Sequence, residues 1–161
     1  IFDFIPSKDI NKSKYFKNLG PDPFSINLNF EYLYKKMKSS KTSIKTFLLN
    51  QKNVVGIGNI YASEILFDCK ISPFRTTNSI NNKKIRVLIK SIRKILKKAI
   101  MYRGSTLRDF KSINGKLGNF QRKFKVYAKE GQYIEVNLKR NLIIKKKQQG
   151  RSTYYCPNIQ I

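Results

Sequence analysis

The spacing of apolar residues changes near residue 120 of the 161-residue chain. Before that point, apolar side chains recur every three or four residues, which predicts helices with one buried face. After it, apolar and polar residues alternate in short runs, which predicts small antiparallel strands. The chain is therefore predicted to be mainly α with a small β tail.

Four helices are predicted in the first part. The first has a cap at Ser25 or Asn29 and ends near Lys38, and the second covers roughly 43–51. The third begins at Asn59, and the longest covers about 81–102. Its predicted apolar stripe consists of Ile85, Leu88, Ile89, Ile92, Leu96, Ala99 and Ile100. With lysines on the other side, this pattern is typical of a core helix that has a hydrated basic face.

Strands are predicted in four runs of the second part, "KFKVYA", "QYIEVNL", "NLIIKKK" and "STYYC". At the opposite end, Gly20, Pro21 and Pro23 mark a turn, because each proline disfavours helix in the residue before it. Residues 1–28 are therefore interpreted as the end of a preceding unit followed by a linker.

The charge balance points to a polyanionic partner. The chain has 34 basic and 9 acidic residues and a formal charge of +25, and nucleic acid is the commonest partner of such a protein. There is no histidine, and the two cysteines are far apart. These counts exclude a disulfide scaffold and a four-ligand zinc site built from this chain. No apolar stretch approaches a membrane span of ~20 residues, so we expect a cytoplasmic protein.

The stretch "VVGIGNIYASEILF" places glycines directly before a predicted helix. A helix that begins at Asn59 has unsatisfied N–H groups and partial positive charge at that end. Glycine at positions 56 and 58 would let a phosphate approach, and Asn59 could cap the helix or donate to a phosphate oxygen. An ordinary helix–turn–helix corner is the alternative. A dinucleotide fingerprint is excluded, since Tyr61 replaces its third glycine.

The segment "SIKTFLLNQKNVVGIGNIYASEIL" resembles the helix-two-turn-helix of the formamidopyrimidine-DNA glycosylase family. Four further motifs are similar in the same order, namely "LGPDPF", "GSTLRDF", "NGKLGNFQRKFKVYAKEG" and "GRSTYYC". The resemblance implies three parts. Residues 1–28 would end a missing amino-terminal β-sandwich and form a linker, 29–119 would be the helix-two-turn-helix DNA-binding domain with its lesion loop, and 120–161 would be a finger-like hairpin.

The resemblance implies base-excision repair. Members of the family remove oxidised purines such as 8-oxoguanine and formamidopyrimidines, then cleave the strand at the abasic site. Their partner is duplex DNA with oxidised bases, and the family suggests a monomeric bacterial protein associated with the nucleoid. The matching DNA-binding positions here are Lys41, Lys45, Gly58, Asn59, Tyr127 and Arg151. Arg151 also matches a catalytic residue that donates a proton in the final elimination.

Several departures from the family qualify this expectation. The family's amino-terminal proline nucleophile and its glutamate are not among these residues, and the chain does not start with methionine, which suggests a piece of a longer protein. The chain alone is therefore expected to bind DNA without cutting it. "GKLGNF" stands where the family has "GKPGYF", which would loosen the lesion loop.

The finger departs further, because the family holds zinc there with four cysteines. The matching positions are Ile134, Asn137, Cys156 and Ile159, so only one ligand remains and no cofactor is expected. Packing is expected to replace the metal, through Tyr133, Ile134, Ile143, Tyr155 and Ile159.

Three alternatives remain open. The chain could be a non-catalytic remnant that binds damaged DNA, or half of an endonuclease VIII type enzyme for oxidised pyrimidines. An RNA-binding ribosomal protein has a similar helix pair but lacks the "GRSTYYC" hairpin.

Overall fold

The structure is a computed structural model that describes Pro6, Ser13, residues 16–105 and residues 118–161. Its helices are α1 (Phe30–Lys38), α2 (Ile44–Leu49), α3 (Asn59–Asp68) and α4 (Asn82–Met101), with short 3₁₀ turns at Thr77–Ser79 and Phe120–Lys123. Its strands are β1 (Tyr133–Val136), β2 (Lys139–Leu142), β3 (Ile144–Gln148) and β4 (Arg151–Tyr155). The predicted class of helices followed by small antiparallel hairpins is confirmed. Within the described part, no helix is long and apolar enough to cross a membrane.

Side-chain caps fix where three of the helices begin. Asn29, Ser43 and Asn81 accept the N–H groups of Tyr32, Thr46 and Lys84 at the starts of α1, α2 and α4. The cap of α1 is thus Asn29 and not Ser25. The N-cap of α3 is Gly58, which has no side chain to offer.

Helix α3 lies at the centre of the core. It packs against α2, α4 and β4, and five consecutive residues, Ala62 to Leu66, are buried. The predicted stripe of α4 is buried from Ile85 to Ala99, but Ile100 is 66% exposed. Ile100 lies in the last turn of the helix, so its inclusion in the core stripe was wrong.

Residues 20–28, interpreted as part of a linker, are attached to the helices. Gly20 N–H donates to the Gln51 carbonyl (2.8 Å), and a Cβ at position 20 would lie 2.5 Å from the Asn53 carbonyl carbon. The Arg93 guanidinium donates to the carbonyls of Pro23, Ser25 and Leu28. The close backbone approach therefore requires glycine at position 20.

The strands form two separate antiparallel pairs, β1 with β2 and β3 with β4. Gln149 and Gly150 join β3 to β4 with positive φ angles of 47° and 74°, the conformation that suits a two-residue hairpin turn. The run "NLIIKKK", predicted as one strand, is divided at Ile143. Ile143 is buried and its backbone bonds to Gly131 and Gln132 instead.

The run "KFKVYA" is not a strand, and this prediction was wrong. The N–H groups of Lys125, Val126 and Tyr127 all donate to the carboxylate of Glu64, at 2.8–3.0 Å. A side chain on α3 thus takes the donors that a neighbouring strand would need. The alternation of apolar and polar residues is the same whether such a segment pairs with a strand or bonds to a side chain, so the sequence pattern does not separate the two.

Candidate nucleic-acid interface

The start of α3 forms an exposed corner with open amides. Gly58 is exposed, and its carbonyl accepts the first helical hydrogen bond, from the N–H of Ala62 (2.9 Å). Within the described residues, the N–H groups of Asn59, Ile60 and Tyr61 have no protein acceptor. A Cβ at Gly58 would meet nothing within 4 Å. The corner therefore combines free donors, a partial positive charge and open space, which suits an anion.

Asn59 occupies the first helical position and not the cap. Its Nδ2 donates to the Ser152 carbonyl oxygen on β4, at 3.0 Å. Its Oδ1 is buried and has no partner among the described residues. Of the two roles considered for this side chain, capping was wrong. The phosphate contact remains a prediction, and the structure adds a bond from the corner to the β3–β4 hairpin.

Lys45 lies inside the protein although it was expected to reach DNA. Only 1% of the residue is exposed, and its Nζ donates to the Ser152 carbonyl (3.1 Å) and to Thr153 Oγ1 (2.6 Å). Burial, together with the smaller effect of the nearby positive charge of Arg151, lowers the pKa of Lys45 to about 8. Its ammonium is therefore engaged by β4 in this structure.

Arg151 is the first residue of β4 and is exposed. It lines a cavity of about 240 Å³ between the hairpin turn and α2, together with Lys45, Asn50 and Gln149. Ser152 directly follows Arg151, and its carbonyl accepts the bond from Asn59 at the α3 corner. The backbone of Arg151 is therefore one residue from this contact. The structure thus brings Gly58, Asn59, Lys45 and Arg151 together.

Tyr127 is half-buried, and its ring packs edge-on against Phe124 and Tyr154, with centroids 5.6 and 4.9 Å away. Its N–H is one of the three that Glu64 accepts. Glu64 is 2% exposed, and its carboxylate fixes the backbone that carries Tyr127. Sequence reasoning missed Glu64. The available signal was an acidic residue between apolar neighbours on a buried helix, where a charge needs partners.

Lys41 is exposed in the loop before α2, on the chain leading to the cap Ser43. The expected loosening of the lesion loop falls mostly on residues 106–117, outside the described part of the chain. Described residues reappear at Gly118, whose neighbour Asn119 donates its N–H to the Tyr102 carbonyl (2.9 Å).

Only one of the four positions aligned with zinc ligands is buried, Cys156 just after β4. Ile134 and Ile159 are half-buried, and Asn137 is exposed in the turn between β1 and β2. Cys156 is fully buried, and its N–H donates to Gln160 Oε1 (2.8 Å), while Gln160 Nε2 donates to the Ile71 carbonyl (3.1 Å). Ile143 and Tyr155 are buried as expected. Tyr133 is 57% exposed with Arg140 over its ring at 4.5 Å, so its predicted packing role was wrong. Among the described residues, no group of three or more His, Cys, Asp or Glu could hold a metal ion.

Comparison with known proteins decides the family. The model of the formamidopyrimidine-DNA glycosylase H2TH domain matches residues 19–111. The chain belongs to the formamidopyrimidine-DNA glycosylase family. It is 46% identical to the formamidopyrimidine-DNA glycosylase of Zymomonas mobilis over 158 residues, which are 98% of this chain and 57% of that protein. It is 43% identical to that of Carboxydothermus hydrogenoformans over 143 residues, which are 88% of this chain and 53% of that protein.

Solved structures of the formamidopyrimidine-DNA glycosylase family share this fold. The MutM (Fpg) protein of Thermus thermophilus matches with a TM-score of 0.85 and 33% identity, over 94% of this chain and 57% of that chain. The Lactococcus lactis Fpg, in complex with DNA containing an abasic site, matches with a TM-score of 0.87 and 35% identity, over 97% of this chain and 56% of that chain. The chain therefore spans a little over half the length of the relatives it matches.

Proposed function

We propose that the chain is the DNA-binding half of a base-excision-repair glycosylase and abasic-site lyase. Its substrate would be duplex DNA with oxidised purines such as 8-oxoguanine or formamidopyrimidines. The observation that carries the proposal is the uncapped, exposed start of α3, bonded through Asn59 to the strand that presents Arg151. A related MutM structure is a complex with DNA that contains carbocyclic 8-oxo-G.

In the proposed complex, the α3 amides take one phosphate and Arg151 enters the duplex beside it. Lys41 and Tyr127 would add further backbone contacts. Such contacts fix the position of the protein without reading the sequence, as a scanning repair enzyme requires. A formal charge of +25 would strengthen the attraction to any duplex.

The chemistry is proposed for a protein that also contains the family's amino-terminal half. There, the damaged base would be extruded, a step that costs a few kcal/mol. The amine of an amino-terminal proline would then attack the sugar carbon that carries this base, and the bond from that carbon to the base would break as the base leaves. Arg151 would supply the proton for the final elimination, as the resemblance implies. Residues 1–161 alone would bind the lesion-containing duplex and form no covalent bond to it.

The proposal is tested by titrating the 161-residue chain with a duplex that contains one 8-oxoguanine, at several salt concentrations. We expect log K to fall with log salt with a slope of about −3, as for three or four neutralised phosphates. Borohydride added to the same mixture should trap no adduct. A salt-independent affinity would contradict phosphate binding, and a trapped band would contradict binding without cleavage. Tighter binding to a duplex with an oxidised pyrimidine would favour the endonuclease VIII type.

We also propose that the finger functions without zinc. The residues present do not fit the metal, because Ile134, Asn137 and Ile159 supply no thiolate or imidazole and Cys156 is a single ligand. The base of the β3–β4 hairpin is instead held by buried Ile143 and Tyr155 and by the two hydrogen bonds of the Gln160 side chain.

Metal analysis tests this second proposal. We expect well under one zinc per purified chain, and no change of melting temperature on adding EDTA. The matched control is the triple variant Ile134→Cys, Asn137→Cys, Ile159→Cys, which restores the four family positions and should take up one zinc. One tightly held zinc in the unaltered chain would refute the proposal.

A further inference from the structure

We infer that Lys45 does not contact DNA phosphate but acts, with Asn59, as a positioning residue for Arg151. Both side chains donate to a single acceptor, the carbonyl oxygen of Ser152, which follows Arg151 in β4. The inference rests on the proposed function, because Arg151 matters only if the chain binds DNA.

Two separate helices supply the donors. Lys45 comes from the first turn of α2, and Asn59 is the first residue of α3. A carbonyl oxygen has two lone pairs, so the Ser152 carbonyl can accept both donors, at 3.1 and 3.0 Å. The two helices of the DNA-binding corner are therefore joined through one backbone atom of the hairpin. Lys45 also binds Thr153 Oγ1, which extends the contact along β4.

The chain on the other side of Arg151 is fixed as well. Gln149 Oε1 accepts from Thr46 Oγ1 (3.0 Å), and Gln148 Nε2 donates to Ser43 Oγ (2.7 Å) at the cap of α2. Gln148 lies opposite Arg151 in the β3–β4 register. Arg151 thus remains exposed while residues before and after it are bonded to α2 and α3. A backbone held this way loses less freedom when its side chain binds, which favours affinity.

Lys45 is a buried cation, so its burial does not stabilise the core as the burial of an apolar side chain would. No carboxylate among the described residues forms an ion pair with it, and burying an ammonium without one is costly. Lys45→Met is therefore expected to keep the fold at similar stability, since it removes a buried charge and leaves Ser152 bonded to Asn59. The Lys45→Met variant would therefore position Arg151 less accurately without weakening the core.

A double-mutant cycle on duplex affinity tests the inference, with Lys45→Met, Arg151→Ala and the double variant. We expect each single variant to bind about tenfold more weakly, and the double variant to match Arg151→Ala within about twofold, because coupled residues are not additive. The salt slope of Arg151→Ala should not change when Lys45→Met is added. If Lys45 contacts phosphate itself, the losses multiply and the slope falls by a further ~0.9, which would overturn the inference.

Two controls separate the possible failures. If the unaltered chain shows no salt-dependent binding, the proposed function fails, whereas normal binding with an additive cycle overturns only the positioning role. If Lys45→Met unfolds, Thr153→Val replaces it in the cycle, because it removes one acceptor of Lys45 and keeps the charge. Additive losses with Thr153→Val would also contradict the inference, and non-additive losses would support it.

Discussion

Replacing Glu64 by glutamine is expected to lower the free energy of unfolding by about 3 kcal/mol. Its carboxylate accepts three backbone N–H groups, and the residue is only 2% exposed. A glutamine amide offers one oxygen and turns its NH₂ group toward at least one N–H donor. Each buried donor left without an acceptor costs about 1–3 kcal/mol, and bonds to a charged acceptor are stronger than neutral ones.

Urea denaturation at neutral pH measures this loss. Glu31→Gln is the matched control. Glu31 is exposed in the first turn of α1 and, among the described residues, makes only a favourable helix-end interaction, worth about 0.5 kcal/mol. A change for Glu64→Gln no larger than the change for Glu31→Gln would mean that the 125–127 backbone does not depend on Glu64.

The helices could be predicted from the sequence because their signals are local. Asn29 as a cap, the periodicity of α4 and the glycines before Asn59 each act within a few residues, and the structure places α1, α3 and α4 within one or two residues of the predicted bounds. The hairpin turn at Gln149 and Gly150 separates two of the predicted strand runs in the same way.

The candidate site was predictable only in part, because its bonds join distant segments. Lys45 follows the buried Ile44, and nothing near it shows that β4 covers its ammonium from more than 100 residues away. Glu64 likewise acts 61–63 residues from its own position. Local pattern showed the exposed corner at Gly58, whereas the bonds that connect it to Arg151 needed the tertiary structure.

Position 58, at the corner where α3 starts, offers a substitution that separates folding from DNA binding. Asp and Asn are both better N-caps than Gly, and a side chain at position 58 meets open space within the described structure. Either residue would occupy amides that a phosphate needs, but only aspartate adds repulsion, worth about 1–4 kcal/mol for charges 4 Å apart. Gly58→Asp and Gly58→Asn should therefore fold at least as stably as the unaltered chain.

The most direct test of the account is the affinity of these two variants for one duplex, measured side by side with their melting temperatures. We predict that Gly58→Asp binds at least about tenfold more weakly than Gly58→Asn, a difference of about 1.4 kcal/mol or more, with melting temperatures equal to or above that of the unaltered chain. Equal affinities of both variants and the unaltered chain would contradict the account, because DNA would then bind elsewhere than at the start of α3.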